Sequence, residues 1–383
     1  MRHTRTIIYL AGFIFSLPIA LMAYINSSFI SSFIDEKLVG TIYTLGSIIS
    51  LLALLIVPKI FSKTGGYKFL LWVIILDSLA ILLLAFSQNA WSAIIFFVFC
   101  FTLNILVYFS LDEILKIFSK DSSTGKTRGS YLAFCSLAWV IAQFSLGAFL
   151  GEFSFRIIYL VSFGLMLLFF AIAFLRLQNI SDPKYDKINI KKNIGQFFRN
   201  KNLFRSFGIS FLLQFFYSWM VIYTPIYLSL HLGFSWSQIG IIFAIMLLPF
   251  VIVPFPLGKY ADKIGERKIL MSGFTIASLA TLSIFFIQTS EVWIWALVLF
   301  ATRLGTASVE VAADAYFFKH IKPENEEFVG VYRTASPFAY ILGPLCASII
   351  FIFVPSFNFI YLILGALMLF GVYISETIRK NDN

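Results

Sequence analysis

Long apolar segments follow one another along almost the whole chain, and this feature most limits the folds it can adopt. Each segment is about as long as the ~20 residues that an α-helix needs to cross a bilayer. They lie near 6–33, 38–58, 69–87, 91–115, 130–151, 156–175, 206–230, 237–257, 269–288, 292–317, 329–354 and 357–376. We therefore predict an all-α polytopic membrane protein with twelve transmembrane helices.

The composition excludes several classes of soluble protein. Of the 383 residues, 60% are hydrophobic and 13% are charged, whereas a soluble domain has about 25% charged residues. So few charges cannot cover a water-exposed surface, which argues against a cytosolic enzyme. Cys100, Cys135 and Cys346 stand far apart in apolar runs, and no complete nucleotide-binding loop of the form G-x-x-x-x-G-K-[ST] is present. We predict no enzymatic activity, no cofactor and no bound metal.

The positions of the basic residues predict the orientation in the membrane. If the N-terminus is cytoplasmic, nearly all of the 29 Lys and Arg residues fall in cytoplasmic segments. The exceptions are Lys37 and Arg156 on the opposite side and Arg303 inside a helix. Cytoplasmic loops carry such an excess of Lys and Arg, so we expect both termini on the cytoplasmic side of the cell membrane. The net charge of +10 is explained by these loops, and no nucleic-acid partner is expected.

The two halves of the chain resemble each other. A shift of 200 positions pairs Lys59, Lys63, Gly65, Lys68 and Leu70 with Lys259, Lys263, Gly265, Lys268 and Leu270. Apolar bias does not produce three matched lysines and a glycine in so short a window, so the halves are read as parallel repeats. We expect six-helix bundles at 1–176 and 206–383, joined by a basic cytoplasmic linker at 177–205.

The loop in the second half carries a recognisable pattern, GKYADKIGERK. It resembles the signature G-x-x-x-D-x-x-G-R-[RK] of the major facilitator superfamily through Gly258, Asp262, Gly265, Arg267 and Lys268. The first half retains Lys63, Gly65 and Lys68 of this pattern. The resemblance implies a secondary transporter in which two six-helix bundles rock around a central cavity.

The resemblance also implies that this loop latches the cytoplasmic helix ends together in the outward-open state. The expected partners in the second half are Asp314 and Arg333. In the first half, Asp112 or Glu113 with Arg128 plays the matching part. The alternative is that these charges only mark the interface and set the topology.

Three ionisable residues are predicted to lie within the membrane: Asp77, Arg303 and Glu310. Each costs at least ~2.5–3.5 kcal/mol on insertion scales, so each is a candidate for function. Arg303 either holds an anionic group of a substrate or neutralises a buried carboxylate. Glu310 either carries the coupling proton or belongs to the latch. Asp77 either takes part in coupling or ties its helix to the second or fourth helix.

In the resembled fold, helices 1, 4, 7 and 10 line the central cavity, and helix 5 can join them. The polar and aromatic candidates on these helices are Tyr24, Asn26, Asn104, Tyr108, Gln143, Gln214, Tyr217, Trp219, Tyr223 and Arg303. The tyrosines either contact a ligand or pack, because aromatic residues are abundant throughout the chain. The amides are equally suited to hydrogen bonds between helices.

These observations predict a monomeric transporter that moves a small organic solute by alternating access, with H+ as the coupling ion. Within the same class, a uniporter or an exporter of hydrophobic compounds fits the pattern as well. A protein of another class, a receptor or scaffold that kept the fold, would show no solute flux. The basic linker favours contact with anionic membrane lipid.

Asp262→Asn tests the latch. Removing this charge weakens the closed cytoplasmic face, so single cysteines placed at the two faces should shift in labelling toward the inward-open pattern. The measurement is the rate of modification by a membrane-impermeant thiol reagent. A labelling pattern identical to that of the parent protein would count against the latch.

Overall fold

The computed structural model describes residues 2–117, 124–150, 152–178, 190–254, 256–257, 265–321 and 328–378, and every regular element in these ranges is a helix. The helices fall into two compact units. The first contains residues 1–186 and 235–244, and the second contains residues 187–234 and 245–383. The first boundary between the two units, between residues 186 and 187, lies inside the stretch that was predicted to be the linker.

The first unit contains seven helices of its own among the described residues. They are α1 (Arg2–Ala23), α2 (Asn26–Ser31), α3 (Val39–Thr64), α4 (Gly66–Ala85), α5 (Ala90–Ile117), α6 (Thr124–Ser145) and α7 (Phe155–Arg176). Helix α1 packs on α6 and α7, and α4 packs on α5 and α7. Wider π-helical geometry continues α6 through Leu146–Leu150.

The second unit begins with a short helix and continues with longer ones. They are α8 (Ile190–Arg199), α9 (Lys201–Ile226), α10 (Trp236–Ile252), α11 (Glu266–Ile284), α12 (Val292–His320), α13 (Phe328–Arg333), α14 (Ala335–Phe353) and α15 (Phe359–Glu376). Helix α10 contributes residues to both units. Helix α9 packs mainly on α14 and α12, while α11 packs on α12 and α15.

Nine helical segments in the described part of the chain are long and apolar enough to cross a membrane. They are Ile7–Ser31, Glu36–Val57, Gly66–Ala85, Ala90–Ile114, Phe155–Arg176, Lys201–His231, Val292–His320, Phe328–Phe353 and Phe359–Glu376. Two shorter apolar helical segments are Ala133–Phe149 and Trp236–Ile252. The prediction of an all-helical, multi-pass membrane protein is confirmed for the described residues.

The two glycines that are matched by the sequence repeat have the same backbone role in both units. Gly65 stands directly before α4 with φ 78°, and Gly265 stands directly before α11 with φ 84°. Residues with a side chain rarely adopt this backbone conformation, whereas glycine does so at little steric cost. The repeat in the sequence therefore preserves a turn that only glycine makes easily.

Helices α11 and α12 approach so closely that their backbones touch at two glycines. A Cβ atom placed on Gly305 would lie 2.5 Å from the carbonyl oxygen of Gly273 and 2.6 Å from the amide nitrogen of Ala277. On the other side of α11, Ser278 Oγ donates to the carbonyl oxygen of Gly365 in α15 at 2.7 Å. Small residues at these positions hold α12, which carries Arg303 and Glu310, against its neighbours.

The helix α8, from the predicted linker, packs against other helices of the second unit. The side chain of Phe197 is fully buried and packs in a cluster with Leu203, Phe317, Phe328 and Tyr332. The ring of Phe197 lies 5.8 Å from that of Phe328 and 6.4 Å from that of Phe317. The sequence favoured a helix that lies on lipid; in the structure, its apolar side is at least partly covered by protein.

Gly305→Ala tests the contact between α11 and α12. The added methyl group meets backbone atoms that cannot rotate away, so we expect the free energy of unfolding to fall by about 1–3 kcal/mol. Gly164→Ala is the matched control, because no atom lies within 4 Å of its added Cβ and alanine favours the helix by up to about 1 kcal/mol. The measurement is thermal unfolding of the two purified variants. Equal stability of both would show that the helices are not in contact at Gly305.

Candidate functional site

The candidate site of the second unit is built around a buried arginine. The side chain of Arg303 on α12 is 1% exposed, and its Cζ atom lies 5.4 Å from the ring centre of Phe216 and 5.3 Å from that of Tyr217. Its Nε and Nη1 atoms are buried and donate no hydrogen bond to any described residue. Two aromatic faces therefore hold the cation while part of its hydrogen-bonding capacity is unused.

Tyr217 on α9 links Arg303 to Glu310. The two charged residues share α12 but lie about 10 Å apart along its axis. The ring of Tyr217 faces the guanidinium of Arg303, and its hydroxyl donates to Glu310 Oε2 at 3.0 Å. The site is thus an arginine and a glutamate of one helix joined by a tyrosine of another. Sequence reasoning had left a partner on another helix as one of several possibilities.

Exposure rises along α12 from Arg303 toward the C-terminal end of the helix. Arg303 is buried, Glu310 is partly exposed and Asp314 is exposed. The hydroxyl of Tyr332 on α13 donates to Asp314 Oδ1 at 3.1 Å, and the adjacent Arg333 is exposed. Sequence reasoning missed Tyr332, because the only signal was its position beside Arg333. Glu310 therefore stands between a buried cation and an accessible carboxylate.

The other candidates on α9 make contacts that join helices. Trp219 Nε1 donates to the carbonyl oxygen of Gly343 at 2.6 Å, and the Tyr223 hydroxyl donates to that of Pro344 at 3.2 Å. Gln214 Oε1 accepts from Ser336 Oγ at 3.0 Å. All three fasten α9 to α14, so in this structure their hydrogen bonds support packing. Tyr217 differs from them because its partner is the ionisable Glu310.

Two of the amide candidates of the first unit likewise bond to neighbouring helices, and the third bonds within its own helix. Asn26 Oδ1 accepts from the Tyr159 hydroxyl at 2.7 Å, and Gln143 Nε2 donates to the carbonyl oxygen of Ala20 at 2.6 Å. Asn104 Nδ2 lies 3.3 Å from Cys100 Sγ on its own helix. These contacts connect α2 with α7 and α6 with α1.

The aromatic candidates of the first unit and Asp77 occupy different environments. Tyr24 is buried edge-on against Trp139, with ring centres 6.2 Å apart. Tyr108 remains 37% exposed and packs its ring against Phe15. Asp77 on α4 is completely buried.

The predicted loop motif is only partly described. Gly258 and Asp262 lie outside the described residues, and so does the side chain of Arg128. Gly265 stands directly before α11, and Arg267 and Lys268 lie in its first turn. Lys63 and Lys68 are exposed, and Asp112 and Glu113 are partly buried. An ion pair that the sequence did not suggest joins Glu266 Oε1 to Lys319 Nζ at the end of α12. Among the described residues, no three His, Cys, Asp or Glu side chains are grouped to hold a metal.

Comparison with known proteins relates this chain to membrane transporters. The sequence model of the Major Facilitator Superfamily matches residues 6–300 and, in a second match, residues 220–382. Among curated protein sequences, none matches the chain.

Several solved structures share the fold at low sequence identity. A mutant of the nucleoside transporter NupG superposes with a TM-score of 0.79 at 11% identity, covering 97% of this chain and 99% of that one. The POT family transporter PepTSo gives 0.78 at 11% identity, with 98% and 97% covered. A bacterial homologue of the human lysosomal transporter Spinster, inward-facing and unoccupied, gives 0.70 at 13%, with 98% and 94% covered.

Arg303→Met distinguishes a residue kept for function from one kept for stability. The change removes buried donors without partners, which cost about 1–3 kcal/mol, and forfeits cation–π contacts of about 0.5–2 kcal/mol. We therefore expect the melting temperature of the purified protein to stay the same or to rise. Trp219→Phe, which removes a satisfied buried hydrogen bond, should lower stability by about 0.5–1.5 kcal/mol. A larger loss for Arg303→Met than for Trp219→Phe would make Arg303 a structural partner.

Proposed function

Because this chain belongs to the major facilitator superfamily, a family of transporters, we propose that it is a secondary active transporter of a small organic anion. Transport proceeds by alternating access, and a proton is the coupling ion. The observation that carries this proposal is the buried guanidinium of Arg303, with two N–H donors that find no acceptor among the described residues.

An anionic group is the ligand chemistry that suits Arg303. The guanidinium is planar and presents paired donors that match a carboxylate or a phosphate. Around it, the rings of Phe216 and Tyr217 supply apolar and aromatic surface for the rest of a small molecule. A solute with one anionic group and a compact apolar or aromatic body therefore fits best.

Glu310 is the proposed carrier of the proton. Its carboxylate accepts from Tyr217, which also faces Arg303, so the anion and the proton bind within one connected group. An anion on Arg303 neutralises the positive charge that favours ionised Glu310. The carboxylate then binds a proton more readily, which makes the two binding events mutually supportive. This coupling favours co-transport of the anion with H+.

The remaining features of the proposed transporter follow from the sequence. We place twelve membrane-spanning helices in the cell membrane. Both termini are in the cytoplasm, because Lys and Arg are concentrated in the segments on that side. The loop motif with Asp262, Asp314 and Arg333 acts as the cytoplasmic latch. The basic linker contacts anionic lipid, and the monomer is the working unit.

The substrate class can be found by thermal-shift screening of the purified protein. Matched pairs of small molecules with and without a carboxylate or phosphate are compared, because a ligand that binds only the folded state raises the melting temperature. We expect anionic members to stabilise the parent protein, and Arg303→Met to lose this response. Stabilisation by the neutral members alone would contradict the assignment of an anionic substrate.

Glu310→Gln tests the coupling. In proteoliposomes with an imposed pH gradient, the variant should lose accumulation of the anion against its concentration gradient, because Gln cannot carry a proton. Exchange of labelled for unlabelled substrate at equal concentrations needs no net proton transfer and should persist. The control is the double variant that combines Glu310→Gln with Gln214→Glu. It adds a carboxyl one helical turn from Tyr217, and it should not restore accumulation.

Other outcomes separate the alternatives. Accumulation that survives Glu310→Gln would remove this residue from the coupling role, and downhill flux without accumulation in the parent protein would indicate a uniporter. If molecules that stabilise the protein produce no flux, a receptor or scaffold is the better description.

A further inference from the structure

The first unit contains a carboxyl group that the proposed site does not use. Asp77 lies on the face of α4 that also carries Ile74 and Ile81, and its side chain has 0% exposure. Neither carboxylate oxygen accepts a hydrogen bond of ordinary geometry from a described residue, and the donor that approaches the carboxylate is the weak one of the Cys100 thiol. An ionised carboxylate with so weak a donor is strongly disfavoured in an apolar interior, so the group needs a cation that neutralises it.

Among the basic side chains that the structure describes on the surrounding helices, none lies close to Asp77 along the helix axes. Lys68 is in the first turn of α4, about 13 Å along the axis from Asp77. Arg156 is in the first turn of α7, where its guanidinium lies over the ring of Phe86. Arg176 is in the last turn of α7, and Lys63 is in the last turn of α3. None of these described side chains therefore neutralises Asp77, and a cation from the surroundings is the candidate that is left.

The side chains around Asp77 carry a thiol, an amide and phenolic hydroxyls, all of which can take part in hydrogen bonds. The Cys100 thiol of α5 lies against the carboxylate and accepts from Asn104 Nδ2 at 3.3 Å. The amide oxygen of Asn104 is itself buried without a partner among the described residues. From α7, Tyr159 interacts electrostatically with Cys100 and with Tyr43 of α3.

These groups form a polar path through otherwise apolar helices. The Tyr159 hydroxyl donates to Asn26 Oδ1 at 2.7 Å, and Asn26 is partly exposed, whereas Asp77 is not. Thiols, phenols and amides can pass hydrogen bonds from one to the next. Asn26, Tyr159, Cys100 and Asp77 thus form a series of polar side chains between a more accessible position and the buried carboxyl, in which Tyr159 and Cys100 interact electrostatically and not through a hydrogen bond.

The backbone around Asp77 favours a proton over a metal cation. Na⁺ sites in transporters draw on carbonyl oxygens of unwound helices, but α4 and α5 run as unbroken helices past this point. Among the side chains that the structure describes around Asp77, the buried oxygens without a hydrogen bond of ordinary geometry are those of Asp77 and Asn104, too few to replace the hydration shell of a metal ion. A proton needs only one carboxylate oxygen.

We propose that Asp77 is a second proton-binding site, located within the first unit and loaded along the path through Asn26, Tyr159 and Cys100. The proton comes from the aqueous phase and converts the carboxylate to a neutral carboxylic acid, and it is released when the site opens to water. This inference rests on the proposed proton-coupled transport and extends it, because each transport cycle then moves one proton on Asp77 in addition to the one on Glu310.

Infrared difference spectroscopy of the purified full-length protein tests the site without requiring transport. Asp77→Asn should remove one carbonyl band of a protonated carboxylic acid that Glu310→Gln leaves in place. Ser78→Ala is the matched control, because that buried hydroxyl bonds only to the carbonyl of Ile74 in its own helix. In D2O, Tyr159→Phe should slow the isotope shift of the Asp77 band several-fold relative to the parent protein.

Two results would overturn the proposal. An unchanged carboxylic acid band in Asp77→Asn would show that the group is ionised, and loss of the parent band on adding Na⁺ would assign the site to Na⁺. In proteoliposomes, the ratio of protons to anions transported should fall in Asp77→Asn but not in Ser78→Ala; an equal ratio would exclude a transported proton. If the parent protein shows no proton-coupled flux, the proposed function fails while the band still reports on Asp77.

Discussion

The burial of a guanidinium among apolar helices is the constraint on which the rest of the second unit depends. A cation in this position is unfavourable unless the protein compensates for the lost water. The compensation here comes from the faces of Phe216 and Tyr217 and from Glu310 further along the same helix. These contacts join α9 to α12, and the close approach at Gly273 and Gly305 holds α12 against α11.

The sequence predicts the membrane class and most helix positions because hydrophobic length is a local property. It also identifies Arg303, Glu310 and Asp77, since an ionisable residue in an apolar run stands out regardless of the fold. The bridging role of Tyr217 could not be predicted, because Glu310 is far from it in sequence and the chain holds 17 Tyr and 46 Phe. Only the packing of α9 on α12 distinguishes this tyrosine from Trp219 and Tyr223, which bond to backbone carbonyls of α14.

The two units share a scaffold but differ in their chemistry. Gly65 and Gly265 make the same turn before equivalent helices, which is why the repeat is visible in the sequence. The second unit concentrates Arg303, Glu310 and Asp314 on one helix, whereas the described part of the first unit buries the carboxyl of Asp77 on a different helix of its bundle. Repeat symmetry constrains turns and close helix contacts, and it leaves the interior side chains free to diverge.

The docking of α8 gives the linker a physical connection to the ionisable residues. The ring of Phe197 packs near that of Phe317, which stacks on the ring of Tyr332 at 4.0 Å and 7°. The Tyr332 hydroxyl in turn holds Asp314, one helical turn from Glu310. A molecule that pulled α8 away would loosen this aromatic stack and release Asp314 from its hydrogen bond. The aromatic stack thereby links the position of α8 to the hydrogen bond that holds Asp314 on α12.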